Sequence, residues 1–166
     1  MPPTFRSDPL LRAPIPTIAA LMLAVCLLGV QGCSDDRPLA PWHTEALTEE
    51  FTADMAGGEV RTLQDYLDLE DRLFRQLDER VVAKTPTGPE HALVRYSRGS
   101  AADPTRWSRN WNRTFVLEAD APIGGVLLLH GMSDSPYSLR ALGEALNRSG
   151  YRVLGLRLPG HGTVPS

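Results

Sequence analysis

Apolar residues along this chain fall into three patterns, and each predicts a different element. Ile18 to Val30 is one continuous apolar run. Between Thr62 and Val82 the apolar positions Leu63, Tyr66, Leu67, Phe74, Leu77 and Val81 recur at helical spacing, which predicts one amphipathic helix with a buried stripe. Thr62 followed three residues later by Asp65 is a capping-box pattern that opens it. Asp68 with Arg72 and Asp71 with Arg75 are i, i+4 pairs that should mark its solvated face. Two prolines and a glycine in Thr85-Pro86-Thr87-Gly88-Pro89 end it.

Strand-like content follows in Ala92 to Tyr96 and Thr114 to Leu117, separated by a polar loop that holds Trp107 and Trp111. Those two tryptophans read either as cover for a core edge or as a ligand platform. Val126-Leu127-Leu128-Leu129 has no alternation, as expected of a strand buried on both faces of a parallel sheet. Ser135 stands where it could cap the next helix and Pro136 falls in its first turn, with Leu139, Leu142 and Leu146 at helical spacing and Gly150 as the stop. Tyr151 to Leu158 forms a further strand, and Pro159-Gly160-His161-Gly162 turns out of it. Strand, helix and strand over 126–158 make one crossover of an α/β, mostly parallel sheet.

The first apolar run is preceded by Arg6 and Arg12 and followed by Gln31, Gly32 and Cys33, the three-part layout of an export signal. It is shorter than the roughly 20 apolar residues of a spanning helix. Leu28 to Cys33 resembles the bacterial lipobox, and that resemblance makes Cys33 the lipidated first residue of a mature, membrane-anchored lipoprotein facing the periplasm or the exterior. The alternative is an ordinary signal peptide and a secreted protein. The sequence therefore divides into a signal at 1–33, a tether at 34–61, a helix and extension at 62–112, and the start of an α/β domain at 113–166.

Composition narrows the chemistry. With 42% hydrophobic and 22% charged residues the 166-residue chain is of ordinary globular type. Its formal net charge is -3 with both signs interspersed, which points to no nucleic-acid partner. The two cysteines, Cys26 and Cys33, precede everything that folds, so the domain has neither a disulfide nor a thiolate metal site to rely on. No zinc-spaced cluster or EF-hand-like loop occurs, and no cofactor is implied.

Two blocks carry a family signal: Leu129-His130-Gly131-Met132-Ser133-Asp134-Ser135-Pro136 and, one crossover later, Arg157-Leu158-Pro159-Gly160-His161-Gly162. Together they resemble α/β hydrolases of the carboxylesterase, monoacylglycerol-lipase and serine-aminopeptidase-like branch, over about Arg113 to Ser166. In that fold the loop after the corresponding strand supplies half of the oxyanion hole. The resemblance makes the Met132 backbone NH that donor, with Gly131 and His130 forming the structural turn and His161 shaping the pocket mouth.

Ser133, Asp134, His130 and His161 contain every residue type of a Ser-His-Asp triad, but adjacent Ser133 and Asp134 on a loop lack the strained elbow that exposes a nucleophile. The resemblance implies a Gly-x-Ser-x-Gly elbow, a pattern that occurs nowhere in the sequence. The catalytic triad is thus expected in sequence after Ser166, and the 166 residues alone are expected to fold poorly and to be inactive. The function implied for the complete protein is an exported serine hydrolase of carboxylic esters, with a small-molecule ester or acyl substrate. Amide or peptide hydrolysis on the same scaffold and a non-catalytic lipoprotein binding module are the alternatives.

Overall fold

Thr62 and Asp65 satisfy each other's backbone amides, and the principal helix starts at that point. Thr62 Oγ1 accepts from the Asp65 amide at 3.1 Å while Asp65 Oδ2 accepts from the Thr62 amide at 2.9 Å. The computed structural model describes residues 38–164. The leader, its lipobox-like end and Cys33 lie outside the described residues. Residues from Leu39 onward form one unit. It comprises a single-turn helix α1 (Pro41–Thr44), the long helix α2 (Leu63–Arg80), strand β1 (Phe115–Leu117), strand β2 (Gly124–Leu129), helix α3 (Arg140–Arg148) and strand β3 (Tyr151–Leu156).

The buried side of α2 is made by Leu69, Leu73 and Leu77, continued by Val81, while Leu63 is exposed. This moves the stripe around the helix from its expected position, because Glu70 is also buried and draws that face toward its partners. The two expected i, i+4 pairs are replaced by longer-range ones. Arg72 pairs with Glu49 at 3.0 Å, and Asp71 pairs with Arg113. Both partners, Glu49 and Arg113, come from segments outside the helix, so the charges bind the helix to its surroundings instead of decorating a free surface.

Residues 41–60, expected as part of a tether, also pack. Trp42 stacks on Tyr96 with ring centroids 5.3 Å apart, and Trp42 and Leu47 cover the cluster of Leu77, Val81, Tyr96 and Val164. The strand expected over Ala92 to Tyr96 is instead a series of turns. The serines just after it bond backbone carbonyls before and within it: Ser97 Oγ donates to Pro86 O at 2.9 Å and Ser100 Oγ to Val94 O at 2.7 Å. Such local side-chain bonds compete with a sheet ladder for the same backbone groups.

The sheet has three strands in the order β1-β3-β2. β2 runs parallel to β3, with Val126 opposite Val153 and Leu128 opposite Gly155, whereas β1 runs antiparallel to β3, with Phe115 opposite Gly155. It is a small mixed sheet with helices, compatible with an α/β class. Only one face of β2 is covered: Leu128 is buried with Phe115 and Val153, but Leu127 and Leu129 are 56% and 55% exposed. The expectation of burial on both faces fails because β2 lies at the sheet edge and α3 packs on one side alone. Leu142 of α3 is likewise half exposed, while Leu139 and Leu146 pack inward.

Gly155 has a steric reason to be glycine. An added Cβ would stand 2.2 Å from the Phe115 ring, which lies across the central strand at that point. Phe115 also meets Trp111 edge-on at 5.1 Å, so Trp111 closes the edge of this core. Among the described residues no helix is long and apolar enough to cross a membrane.

Candidate active site

Two turns leave the same end of the parallel pair, one after β2 and one after β3. After Leu129 the chain passes through His130, which is buried, and emerges into Met132, which is 90% exposed. The turn is closed by the Asp134 amide donating to Gly131 O at 3.2 Å. It then re-enters the fold at Ser135 and Pro136, both buried. Ser135 does not cap the following turn with its side chain, as expected, but donates through Oγ to Asn112 Oδ1 at 2.8 Å. Pro136 does occupy the first turn of the 3-10 segment Pro136–Leu139 that leads into α3.

His130 is held at both ring nitrogens. Nε2 accepts from the Leu158 amide at 3.0 Å, so the ring proton resides on Nδ1, which donates to Gly131 O at 2.9 Å. The imidazole therefore bridges the two turns, consistent with a positioning group. His161, on the second turn, directs Nδ1 at Pro159 O, 2.9 Å away, and Nε2 at Met132 O. A neutral imidazole has one N–H and can donate to only one of those carbonyls. Both rings are thus engaged with backbone groups, and neither bonds Ser133 or Asp134. No local Ser-His-Asp triad forms.

Met132 reaches solvent at the lip of an open depression shared with Ser133, Asp134, Gly160 and His161. Among the described hydrogen bonds, the Met132 carbonyl faces His161 Nε2 and none uses the Met132 amide. That leaves one backbone donor available on a loop whose neighbours are fixed. Gly131 does not have a positive φ, and an added Cβ there would meet nothing within 4 Å. Asp134 has its carboxyl below the ordinary range because the Ser138 hydroxyl and the Ser135 amide stabilise the anion.

The second turn is anchored by an ionic group that sequence reasoning passed over. Arg157, the first residue after β3, has a side chain only 1% exposed. Its Nε donates to Glu70 Oε1 at 2.8 Å, and its two terminal nitrogens donate to the two oxygens of Glu50 at 2.9 and 2.7 Å. The same guanidinium donates to His161 O at 3.0 Å, and the Gly160 amide donates to Glu50 at 2.9 Å. Glu70, also 1% exposed, further accepts from the Thr114 amide and hydroxyl, each at 3.1 Å. Every group is satisfied, which is the condition under which a buried ion pair is tolerated.

Burial pushes the Glu50 carboxyl up, but hydrogen bonds and charge from Arg157 and the amides of Gly160 and Phe51 outweigh it and hold it below its ordinary value. For Arg157 burial works downward, and Glu50, Tyr66 and Glu70 overcome it. Tyr66 donates to Arg157 O at 2.7 Å, and burial raises its phenol to about 12. A signal for this anchor existed in sequence as an arginine at the end of an apolar strand, but its partners lie 87 and 107 residues away. Nothing local could pair them. Gly162 completes the turn with φ +74, and a Cβ there would fall 2.6 Å from Asn112 O.

No family model matches the chain. A stretch of 39 residues, 24% of the chain, is 54% identical to a thermostable monoacylglycerol lipase of Bacillus sp. (strain H-257). The matched stretch covers 16% of that lipase's length. The likeness is local and says nothing of the remainder of either protein.

Proposed function

We propose that this chain carries the oxyanion-binding start of an α/β-hydrolase domain, in a serine hydrolase that cleaves carboxylic esters, acylglycerols being one candidate class. The observation that carries the reading is the exposed Met132 amide, free of protein acceptors, on a turn braced by His130 and His161. The local identity to a monoacylglycerol lipase supports the same chemistry. A preorganised amide aimed where negative charge develops can lower an acyl-transfer barrier by about 3 kcal/mol, since it needs no reorientation as the reaction proceeds.

In this reading His130 fixes the turn through Leu158 and Gly131, and the Arg157 anchor holds the facing turn that carries His161. On this reading these residues carry the oxyanion-binding turn and none of them is assigned as nucleophile, acid or base, since no Gly-x-Ser-x-Gly elbow stands among them. The Arg6 to Cys33 pattern supports export and lipid anchoring at Cys33. A membrane-tethered enzyme facing outward follows from it.

The test separates backbone from side chain at one position, in the full-length protein assayed on p-nitrophenyl esters. Met132→Pro removes the amide hydrogen and should lower kcat about 100-fold or more, while Met132→Ala keeps it and should retain activity within a few-fold. Equal loss in both variants would show that the side chain, not the amide, matters. Absence of ester hydrolysis in the unmodified protein would refute the hydrolase reading altogether.

A further inference from the structure

The arm before α2 runs antiparallel to the helix and the turn that follows it, fastened step by step. Glu45 pairs with Lys84, the Ala46 carbonyl accepts from Arg80 at 2.8 Å, the Thr48 amide donates to Gln76 at 2.7 Å, and Glu49 pairs with Arg72. The next residue, Glu50, reaches past the helix to the turn after β3. Its carboxylate accepts from both terminal nitrogens of Arg157, at 2.9 and 2.7 Å, and from the Gly160 amide at 2.9 Å.

An ion pair taken out of water adds little net stability. What this one supplies is direction. Arg157 Nη1 also donates to Leu158 O and His161 O at 3.4 and 3.0 Å, so the group held by Glu50 fixes the backbone of the whole turn. Within that turn the Leu158 amide donates to His130 Nε2 at 3.0 Å, and His130 Nδ1 donates in turn to Gly131 O at 2.9 Å. The Gly131 carbonyl and the Met132 N–H belong to one planar peptide unit and point in opposite directions. Whatever fixes that carbonyl therefore aims the amide. A donor on the carbonyl also polarises the peptide and strengthens its N–H.

From this series of contacts we propose that Glu50 is a positioning residue for the Met132 amide, acting through the turn after β3 and through His130. The proposal rests on the hydrolase reading and deepens it: a stretch whose sequence suggests a tether becomes part of the support of the oxyanion-binding turn. Glu50 touches neither substrate nor reacting atoms. Its effect belongs to the transition state, where the aim of the amide matters, and not to ester binding.

Steady-state hydrolysis of p-nitrophenyl butyrate by the full-length protein tests it, in variants shown by circular dichroism to be folded at the assay temperature. Glu50→Gln keeps the shape and loses the charge; it should lower kcat about tenfold and leave KM within about twofold, since misplacing a catalytic group costs rate more than binding. His130→Gln sets an amide oxygen where Nε2 stood, keeping the Leu158 bond but offering nothing to Gly131 O, and should lower kcat at least as far. Adding Glu50→Gln to it should change kcat by less than about twofold, because the path is already cut. Should Glu50→Gln not fold, Glu50→Asp keeps the charge but is one methylene too short to serve Arg157 and Gly160 together, and carries the same expectation. An unchanged kcat in a folded Glu50 variant, a change in KM alone, or losses that multiply in the double variant overturn the proposal. Hydrolysis lost in Met132→Pro but intact in Glu50→Gln sinks the proposal and leaves the hydrolase reading standing, whereas no hydrolysis by the unmodified protein sinks both.

Discussion

Removing both members of the Arg157–Glu70 pair should cost less than the two single losses added together. Glu70→Leu takes away the Nε partner of Arg157 and the acceptor of the Thr114 amide and hydroxyl, all within 3.1 Å. It leaves a guanidinium whose side chain is 1% exposed with half its counter-charge. Breaking a buried pair costs about 3 to 5 kcal/mol, and the two hydrogen bonds that Arg157 keeps with Glu50 place this loss at the lower end. Arg157→Met should cost a similar amount by stranding Glu70. In the double variant two apolar side chains meet where two charges met, and replacement of a buried ion pair by packed hydrophobes is often close to neutral. Glu50 then loses Arg157 but keeps the Gly160 and Phe51 amides, and its 21% exposed side chain can recruit water. The double variant should therefore be more stable than the sum of the single losses predicts, by about 2 kcal/mol or more of coupling. Urea unfolding of the four proteins, followed by far-ultraviolet circular dichroism, closes the cycle. Strict additivity of the two losses would refute the reasoning, because independent effects cannot come from charges that compensate each other.

Two further outcomes follow from the packing and the charges. Gly155→Ala should destabilise the sheet by about 1 to 3 kcal/mol or more through overpacking, because its Cβ would fall 2.2 Å from Phe115; pairing it with Phe115→Leu should recover part of the loss in thermal unfolding. Glu50 binds its proton less readily folded than unfolded, so its contribution to stability is complete above the ordinary carboxylate range and disappears as pH falls through its lowered folded value. The stability difference between the unmodified protein and Glu50→Gln should accordingly be largest near neutrality and shrink on acidification, and a difference that stayed constant from pH 7 to pH 3 would contradict the ionic account.

What could be read from the sequence was what local physics decides. The capping box at Thr62 and Asp65, the proline break after α2, the parallel β2–β3 pair and the turn at Met132 all depend on residues within one element or its immediate neighbours. The failures share a cause in distant partners. Glu70 belongs to the buried side of α2 only because Arg157 arrives there, and no helical spacing reports that. Leu127 and Leu129 form an apolar block, but exposure depends on which strands and helices lie beside β2. The turns at 92–96 defeated a strand-like composition because Ser97 and Ser100 bind nearby carbonyls. Of the candidate site, the two turns and their histidines were legible from motif position, whereas the Arg157 anchor was assembled by the fold.

The anchor also has a consequence for the order in which the chain matures. Glu50 and Glu70 precede their counter-ion by 107 and 87 residues, so during synthesis both carboxylates exist long before Arg157 leaves the ribosome. Until then, burying Glu70 would desolvate its carboxylate without the guanidinium that neutralises it most directly. Closure of the Glu70 face of the helix is thereby deferred to the arrival of β3, and the N-terminal arm at Glu50 and the turn after β3 lock together in one late step.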